Sequence, residues 1–212
     1  IDNMAEKLLS DDEAREVLKK ILSLYPDAKG ELHWDSKFHL LCAVLMSAQT
    51  TDKMVNRVMP QFSKDFPTPE SLADAPIEEI ENEIKTIGLY RSKAKHLKAT
   101  AQILVDKYNS QVPKDKQILM TLPGVGEKTA NVVLAEGYGV PAIAVDTHVS
   151  RISKKFHIVD EKATPHEVEK RLEAILPKDE WIKTHHAMIL FGRYTMPSKA
   201  KGDPYSYLNS QK

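Results

Sequence analysis

The chain has 212 residues, enough to bury a core as one large or two small domains. Hydrophobic residues make up 42% and charged residues 28%, and 30 basic side chains balance 30 acidic ones, a composition that excludes a disordered polyelectrolyte. No apolar run reaches the ~18 residues of a membrane span, no secretory leader is visible, and the single cysteine, Cys42, excludes internal disulfides and a cysteine metal cage.

Ile1-Asp2-Asn3 stand before Met4 and read as an addition in front of the start. From there helical periodicity dominates. Val17, Leu18, Ile21 and Leu22 give residues 12–24 one apolar face. Residues 38–48 are almost wholly apolar and predict a central buried helix, with Cys42 as core filler. Met54, Val55, Val58, Met59 and Phe62 form the next stripe. Phe66-Pro67-Thr68-Pro69 breaks the chain before short helices over 69–75 and 76–86. Ala94, Leu97, Ala101, Leu104 and Val105 place a helix over 93–108. Helices over 115–122 and 129–137 flank a glycine turn, and others over 146–157, 165–176 and 179–192 complete the set. No stretch alternates as a paired strand, so the fold class is all-α with short Pro- and Gly-marked connections. Trp34 and Trp181 read as core.

The most informative run is Leu122-Pro123-Gly124-Val125-Gly126-Glu127-Lys128-Thr129-Ala130. Its two glycines let the backbone turn sharply and approach a ligand closely. The helix that follows begins with amide N–H groups that have no partner inside it. Free amides and the positive end of a helix dipole make an anion site. Lys128 falls in the first turn of that helix, and Asp146, within Val145-Asp146-Thr147-His148, opens the next one 18 residues later. A softer echo, Ile87-Gly88-Leu89-Tyr90-Arg91-Ser92-Lys93-Ala94, repeats the pattern of a glycine turn followed by a Lys-Ala helix start. Basic residues collect beside these runs: Lys85, Arg91, Lys93, Lys95 and Lys98, then Arg151, Lys154 and Lys155, then Arg193, Lys199 and Lys201. A neutral chain can therefore carry one basic face.

In residue types, order and spacing these segments resemble the helix-hairpin-helix and the Lys/Asp pair of the endonuclease III family of DNA glycosylases. The likeness spans nearly the whole chain. Ser47-Ala48-Gln49-Thr50-Thr51-Asp52 looks like the family's Ser-Ala-Gln loop, Ile87-Gly88-Leu89-Tyr90 with Lys93-Ala94 like its wedge loop, and Phe191-Gly192-Arg193-Tyr194-Thr195 follows in family order. The resemblance implies a six-helix domain over 31–137 that carries the hairpin. It implies a second helical domain from 1–30 plus 138–212, with a DNA-binding cleft between the two. It further implies a monomeric, bacterial-type cytoplasmic enzyme, associated with the nucleoid through its substrate: double-stranded DNA containing damaged bases or abasic sites.

A glycosylase must flip its target base out of the stack, at a cost of about a few kcal/mol. By the resemblance, Gln49 fills the vacated space and Leu89 wedges between bases, a general device for unstacking a step. Read alone, Gln49 is a helix C-cap contact and Leu89 a core contact. Leu122, Gly124, Val125, Gly126 and Thr129 would meet the phosphates at the hairpin, with Arg91, Lys93, His148 and Arg151 as further DNA contacts. Read alone, His148 is a structural residue that fixes a helix start rather than a base.

Lys128 is the expected nucleophile. It must act as a neutral amine, and an unperturbed lysine with pKa ~10.4 is only ~0.04% neutral at pH 7. A positive helix N-terminus and exclusion of water both disfavour the charged form. Attack on the sugar C1′ displaces the base and leaves an imine that makes loss of the 3′ phosphate by β-elimination feasible. Asp146 is expected to take a proton from the lysine or to stabilise positive charge developing on the sugar. Read alone, Lys128 is a solvated helix lysine and Asp146 a plain N-cap. His185-His186 is not a metal pair, because adjacent helix positions point about 100° apart, and no metal ligand set is expected.

The family usually places four cysteines at its C-terminus to hold a [4Fe–4S] cluster. Here the corresponding positions are Met196, Asp203, Ser206 and Lys212, none of them a thiolate donor. The expectation is a cluster-free member with no cofactor, in which Tyr205, Tyr207 and Leu208 pack in place of the cluster loop. The leading reading is thus a bifunctional DNA glycosylase/AP lyase for oxidised pyrimidines. The alternatives are a glycosylase for another lesion, such as oxidised guanine or a mismatched base, and a non-catalytic helix-hairpin-helix DNA-binding module.

Overall fold

The structure, a computed structural model, describes residues 7–209, so Ile1-Asp2-Asn3 and Lys212 lie outside the described residues. All regular structure among the described residues is helical. In chain order the α-helices are α1 (Asp11–Leu24), α2 (Lys37–Ser47), α3 (Asp52–Asp65), α4 (Pro69–Asp74), α5 (Ile77–Ile84), α6 (Tyr90–Lys107), α7 (Lys116–Leu119), α8 (Glu127–Val132), α9 (Thr147–Lys155), α10 (Pro165–Ile175) and α11 (Trp181–Leu190). Each of α8 and α11 runs on into a wide π turn, Val133–Gly137 and Phe191–Thr195 respectively.

The chain divides into two compact units. One is Glu31–Val140; the other joins the segment up to Gly30 to the segment from Pro141. The boundary falls three residues beyond the expected 137. The π turn explains the shift: its bonding carries on through Gly139 N–H to Ala135 O (3.1 Å) and Val140 N–H to Leu134 O (3.0 Å), and the Tyr138 hydroxyl donates to Val112 O.

The unit Glu31–Val140 is built around α2, where every residue from Phe38 to Met46 is buried. Such a helix is apolar all round, as a central helix must be. Val55, Val58, Met59 and Phe62 of α3 are buried in this unit, as are Ile80 and Ile84 of α5 and Ala94, Leu97, Ala101 and Leu104 of α6. Side-chain caps from Thr51 and Asp115 open α3 and α7, and the Thr68–Ser71 capping box opens α4. Cys42 is 2% exposed and burial pushes its thiol pKa up, so it is inert filler. Trp34 departs from expectation: at 37% exposed it is a surface residue.

In the other unit, α1 opens on a Ser10–Glu13 capping box and buries Ala14, Val17, Leu18 and Ile21. These join Val149, Ile152 and Phe156 around α9, Val168, Leu172 and Ile175 of α10, and Ala187, Met188 and Phe191. Trp181 lies half-buried at the edge of this core, with its indole N–H donating to Leu176 O at 3.0 Å. His185, buried in α11, turns Nδ1 to Trp181 O at 3.2 Å; desolvation first, then His186, pushes its pKa down to about 3.

Candidate nucleic-acid interface and active site

The hairpin is a chain of tight turns. Thr121 N–H donates to Ile118 O, Leu122 N–H to Leu119 O and Val125 N–H to Leu122 O, which ends α7 after four residues where 115–122 was expected. Gly126 then caps α8, so the helix opens at Glu127, two residues earlier than expected, and Lys128 is its second residue. Lys128 is exposed, while Leu122 and Val125 are 2% and 6% exposed. The side chains of Leu122 and Val125 are therefore core that supports the turn, and the expected phosphate contacts at these positions fall to the backbone. Thr129 is half-buried. The Lys116 ammonium pairs with Glu127 at 3.1 Å and ties the two flanking helices together.

The two glycines differ in what they do. Gly124 sits at φ +80°, and a Cβ there would lie 2.8 Å from His96 Nδ1. Gly126 is extended at φ −96°, and a Cβ there would meet nothing within 4 Å, so its smallness keeps the surface open. Gly124→Ala is therefore expected to lower the melting temperature and DNA affinity together. The left-handed conformation alone costs an L-residue about 1–2 kcal/mol. Gly126→Ala is expected to leave the melting temperature unchanged. Thermal melts of both variants check this, and equal melting temperatures would remove the conformational role of Gly124.

Two loops of the same unit lie side by side. Gln49 is exposed at φ +56°, and Leu89, 61% exposed at φ +59°, is the N-cap of α6. Leu89 is therefore not a core contact. A Cβ on Gly88 would sit 3.4 Å from Thr50 Oγ1 and 3.7 Å from Gln49 O, which shows how closely the loops approach.

Lys93 corrects an expectation. It is 5% exposed, and its ammonium donates to Met46 O (2.8 Å), Ala48 O (2.5 Å) and Thr50 Oγ1 (3.2 Å). It binds the carbonyls that α2 leaves unpaired at its C-terminal end, so it has no free face for a phosphate. Lys98 likewise donates to Ala73 O and Ala75 O at the end of α4. Of that basic run, Lys85, Arg91 and Lys95 remain on the surface. Arg91 stacks over the Tyr90 ring at 4.8 Å and lies 3.7 Å from Glu81.

Residues that the motifs did not single out organise this face. His96 lies against Gly124, and the Thr100 hydroxyl donates to Pro123 O at 3.1 Å. Leu89, Lys93, His96 and Thr100 follow one another at i, i+4, i+7 and i+11. One stripe of α6 thus touches both loops and the hairpin. That helical spacing was the available signal.

In the other unit, Asp146 is the N-cap of α9, its Oδ1 accepting from Val149 N–H at 2.8 Å. Arg151 departs from the expected phosphate contact. Its guanidinium donates to Met196 O and Gly192 O, both at 2.8 Å, and lies 3.3 Å from His148 Nδ1. Those donors close the π turn Phe191–Thr195. His148 packs at the same junction: a Cβ on Gly192 would come within 2.9 Å of His148 Cβ. Lys155 is exposed.

A profile of the HhH-GPD superfamily of base excision DNA repair proteins matches residues 42–178. The endonuclease III of Bacillus subtilis (strain 168) is 47% identical over 177 residues, which span 84% of this chain and 81% of that protein. The chain belongs to the endonuclease III family. The endonuclease III of Escherichia coli (strain K12) is 41% identical over 85% of each chain. A solved structure of a trapped endonuclease III–DNA covalent intermediate, in an estranged-adenine complex, is 46% identical, covers 91% of both chains and superposes with a TM-score of 0.89. A thermostable thymine-DNA glycosylase, 20% identical over 87% of this chain and 88% of that one with a TM-score of 0.77, shares the fold.

The cluster usual in endonuclease III does not fit the donors present here. The sequence has one cysteine, Cys42, and that lies inside α2. Met196 is 3% exposed within the apolar core. Asp203 accepts from Tyr205 N–H at 3.0 Å, and Ser206 donates to Asp203 O at 2.6 Å, closing the short helical turn Pro204–Asn209. Leu208 enters the core, Tyr205 stacks edge-on against Phe156 at 5.2 Å, and the Tyr207 hydroxyl donates to Lys201 O at 2.7 Å. Lys212 lies outside the described residues.

Proposed function

We propose that this chain removes oxidised pyrimidines from duplex DNA and cuts the strand 3′ to the resulting abasic site, with Lys128 as nucleophile and Asp146 as its acidic partner. The activity class is that of its family, DNA glycosylase and AP lyase in base excision repair. One observation carries the assignment to Lys128. It stands exposed in the first turn of α8, directly after Gly124-Val125-Gly126, in a chain 46% identical to an endonuclease III trapped covalently on DNA.

The amine bonds to C1′ as the glycosidic C–N bond breaks, and the departing base takes up a proton. Ring opening leaves an imine between Lys128 and the sugar. That imine accepts the electron pair released when the 2′ proton is removed, and the 3′ phosphate leaves by β-elimination. The Asp146 carboxylate favours positive charge on the sugar in the first step. Gln49 and Leu89 hold the opened duplex, and the backbone around Gly124 and Gly126 meets phosphate. Arg91, Lys95 and Lys155 supply the charge that draws the protein to DNA.

Borohydride trapping on duplexes bearing an oxidised pyrimidine, an oxidised guanine or a mismatch tests the substrate class. A covalent adduct and 3′ cleavage are expected with the oxidised pyrimidine. Preferential trapping on either of the others would move the assignment to that lesion.

We also infer a cluster-free enzyme, since a [4Fe–4S] centre takes about four cysteine thiolates. The purified protein is expected to be colourless and active with no stoichiometric iron. An absorbance band near ~400 nm accompanied by bound iron and sulfide would overturn this.

A further inference from the structure

Two non-glycine residues, Gln49 and Leu89, are held in left-handed backbone conformations on adjoining exposed loops. Such conformations persist only where the surroundings over-determine them. The surroundings here converge on one residue, Lys93, which holds one loop through its backbone and the other through its ammonium. Lys93 begins the second turn of α6, its backbone N–H donating to Leu89 O at 3.0 Å. Its side chain crosses to the other loop and donates to Met46 O, Ala48 O and Thr50 Oγ1, acceptors on both sides of Gln49. An ammonium has three donors and no acceptor, so these three partners use its whole capacity. Leaving the buried ammonium or the Met46 carbonyl unpaired is costly.

We propose that Lys93 is a positioning residue that locks Gln49 and Leu89 into a single preformed wedge, so that the base is expelled without the loops having to order first. The proposal rests on the reading that Gln49 and Leu89 enter the duplex. Desolvation holds the Lys93 pKa below its ordinary value, as befits an ammonium kept only by its local acceptors.

The test reads base opening directly. A 2-aminopurine beside an oxidised pyrimidine brightens when the stack opens. All variants are made in the full chain carrying Lys128→Gln, so that opening is seen without chemistry. Gln49→Ala and Leu89→Ala are expected to depress the signal. Lys93→Met, which keeps length and apolar bulk, is expected to depress it about tenfold, the loss appropriate to charged hydrogen bonds, with affinity for undamaged duplex unchanged. A full signal from Lys93→Met, while Gln49→Ala and Leu89→Ala are depressed, overturns the proposal. An equal loss of undamaged-duplex affinity also overturns it, by showing a merely structural role. Full signals from Gln49→Ala and Leu89→Ala overturn the underlying wedge reading, and the proposal with it. Should Lys93→Met not melt cooperatively, Thr50→Val decides. It removes one acceptor only, and a partial loss of signal supports the lock while an unchanged signal defeats it.

Discussion

Replacing Lys128 with glutamine is expected to abolish both borohydride trapping and strand cleavage while DNA binding persists. Only a primary amine can form the imine, and glutamine offers none at the same reach. The position makes the experiment clean. Lys128 is exposed at the second residue of α8. A cation there faces the positive end of the helix, an arrangement worth about 0.3–1 kcal/mol against stability, which is regained on its removal. The melting temperature should therefore hold or rise as activity disappears. That combination cannot arise from misfolding. Trapping of the variant on an abasic duplex at the wild-type rate would show that another nucleophile carries the chemistry.

Most of the helices are legible in the sequence because their apolar faces recur at helical spacing. Where a capping side chain stands at the start, the boundary is legible too: Ser10, Thr68 and Thr164 open α1, α4 and α10 with capping boxes. Periodicity places the starts of α6 and α8 late, at 93 and 129, for a common reason. Their N-caps are Leu89 and Gly126, which make no side-chain capping bond. The resemblance singles out Lys128, Asp146, Gln49 and Leu89; read alone, they would be a solvated helix lysine, two cap residues and a core contact.

Burial of charge is the hardest thing to read. Lys93 stands four residues before Leu97 and next to Ala94, on the buried side of α6, and that register marks it as different from Arg91 and Lys95. Its acceptors, however, lie 43 to 47 residues earlier in the chain. Arg151 is tied to carbonyls 41 and 45 residues later. A local pattern shows that a cation is present. Whether it meets a phosphate or the end of a helix depends on which distant backbone arrives beside it.

Asp146→Asn is expected to slow base removal by ~10²–10³, the usual loss when positioned charge stabilisation is withdrawn. The effect on an already abasic site should be smaller, because no base then has to leave. Asp146 also caps α9 through Val149 N–H, and the choice of asparagine turns on that bond. Asparagine and aspartate cap equally well, whereas alanine at such a position costs about 1 kcal/mol. Asp146→Asn thus removes the charge and keeps the cap; Asp146→Ala removes both. If the carboxylate acts through its charge, the two variants lose base removal to the same degree and differ only in melting temperature. If its function is to hold the start of α9, Asp146→Asn excises bases at the wild-type rate and only Asp146→Ala is impaired. Single-turnover excision of an oxidised pyrimidine, measured beside thermal melts of both variants, separates the two outcomes.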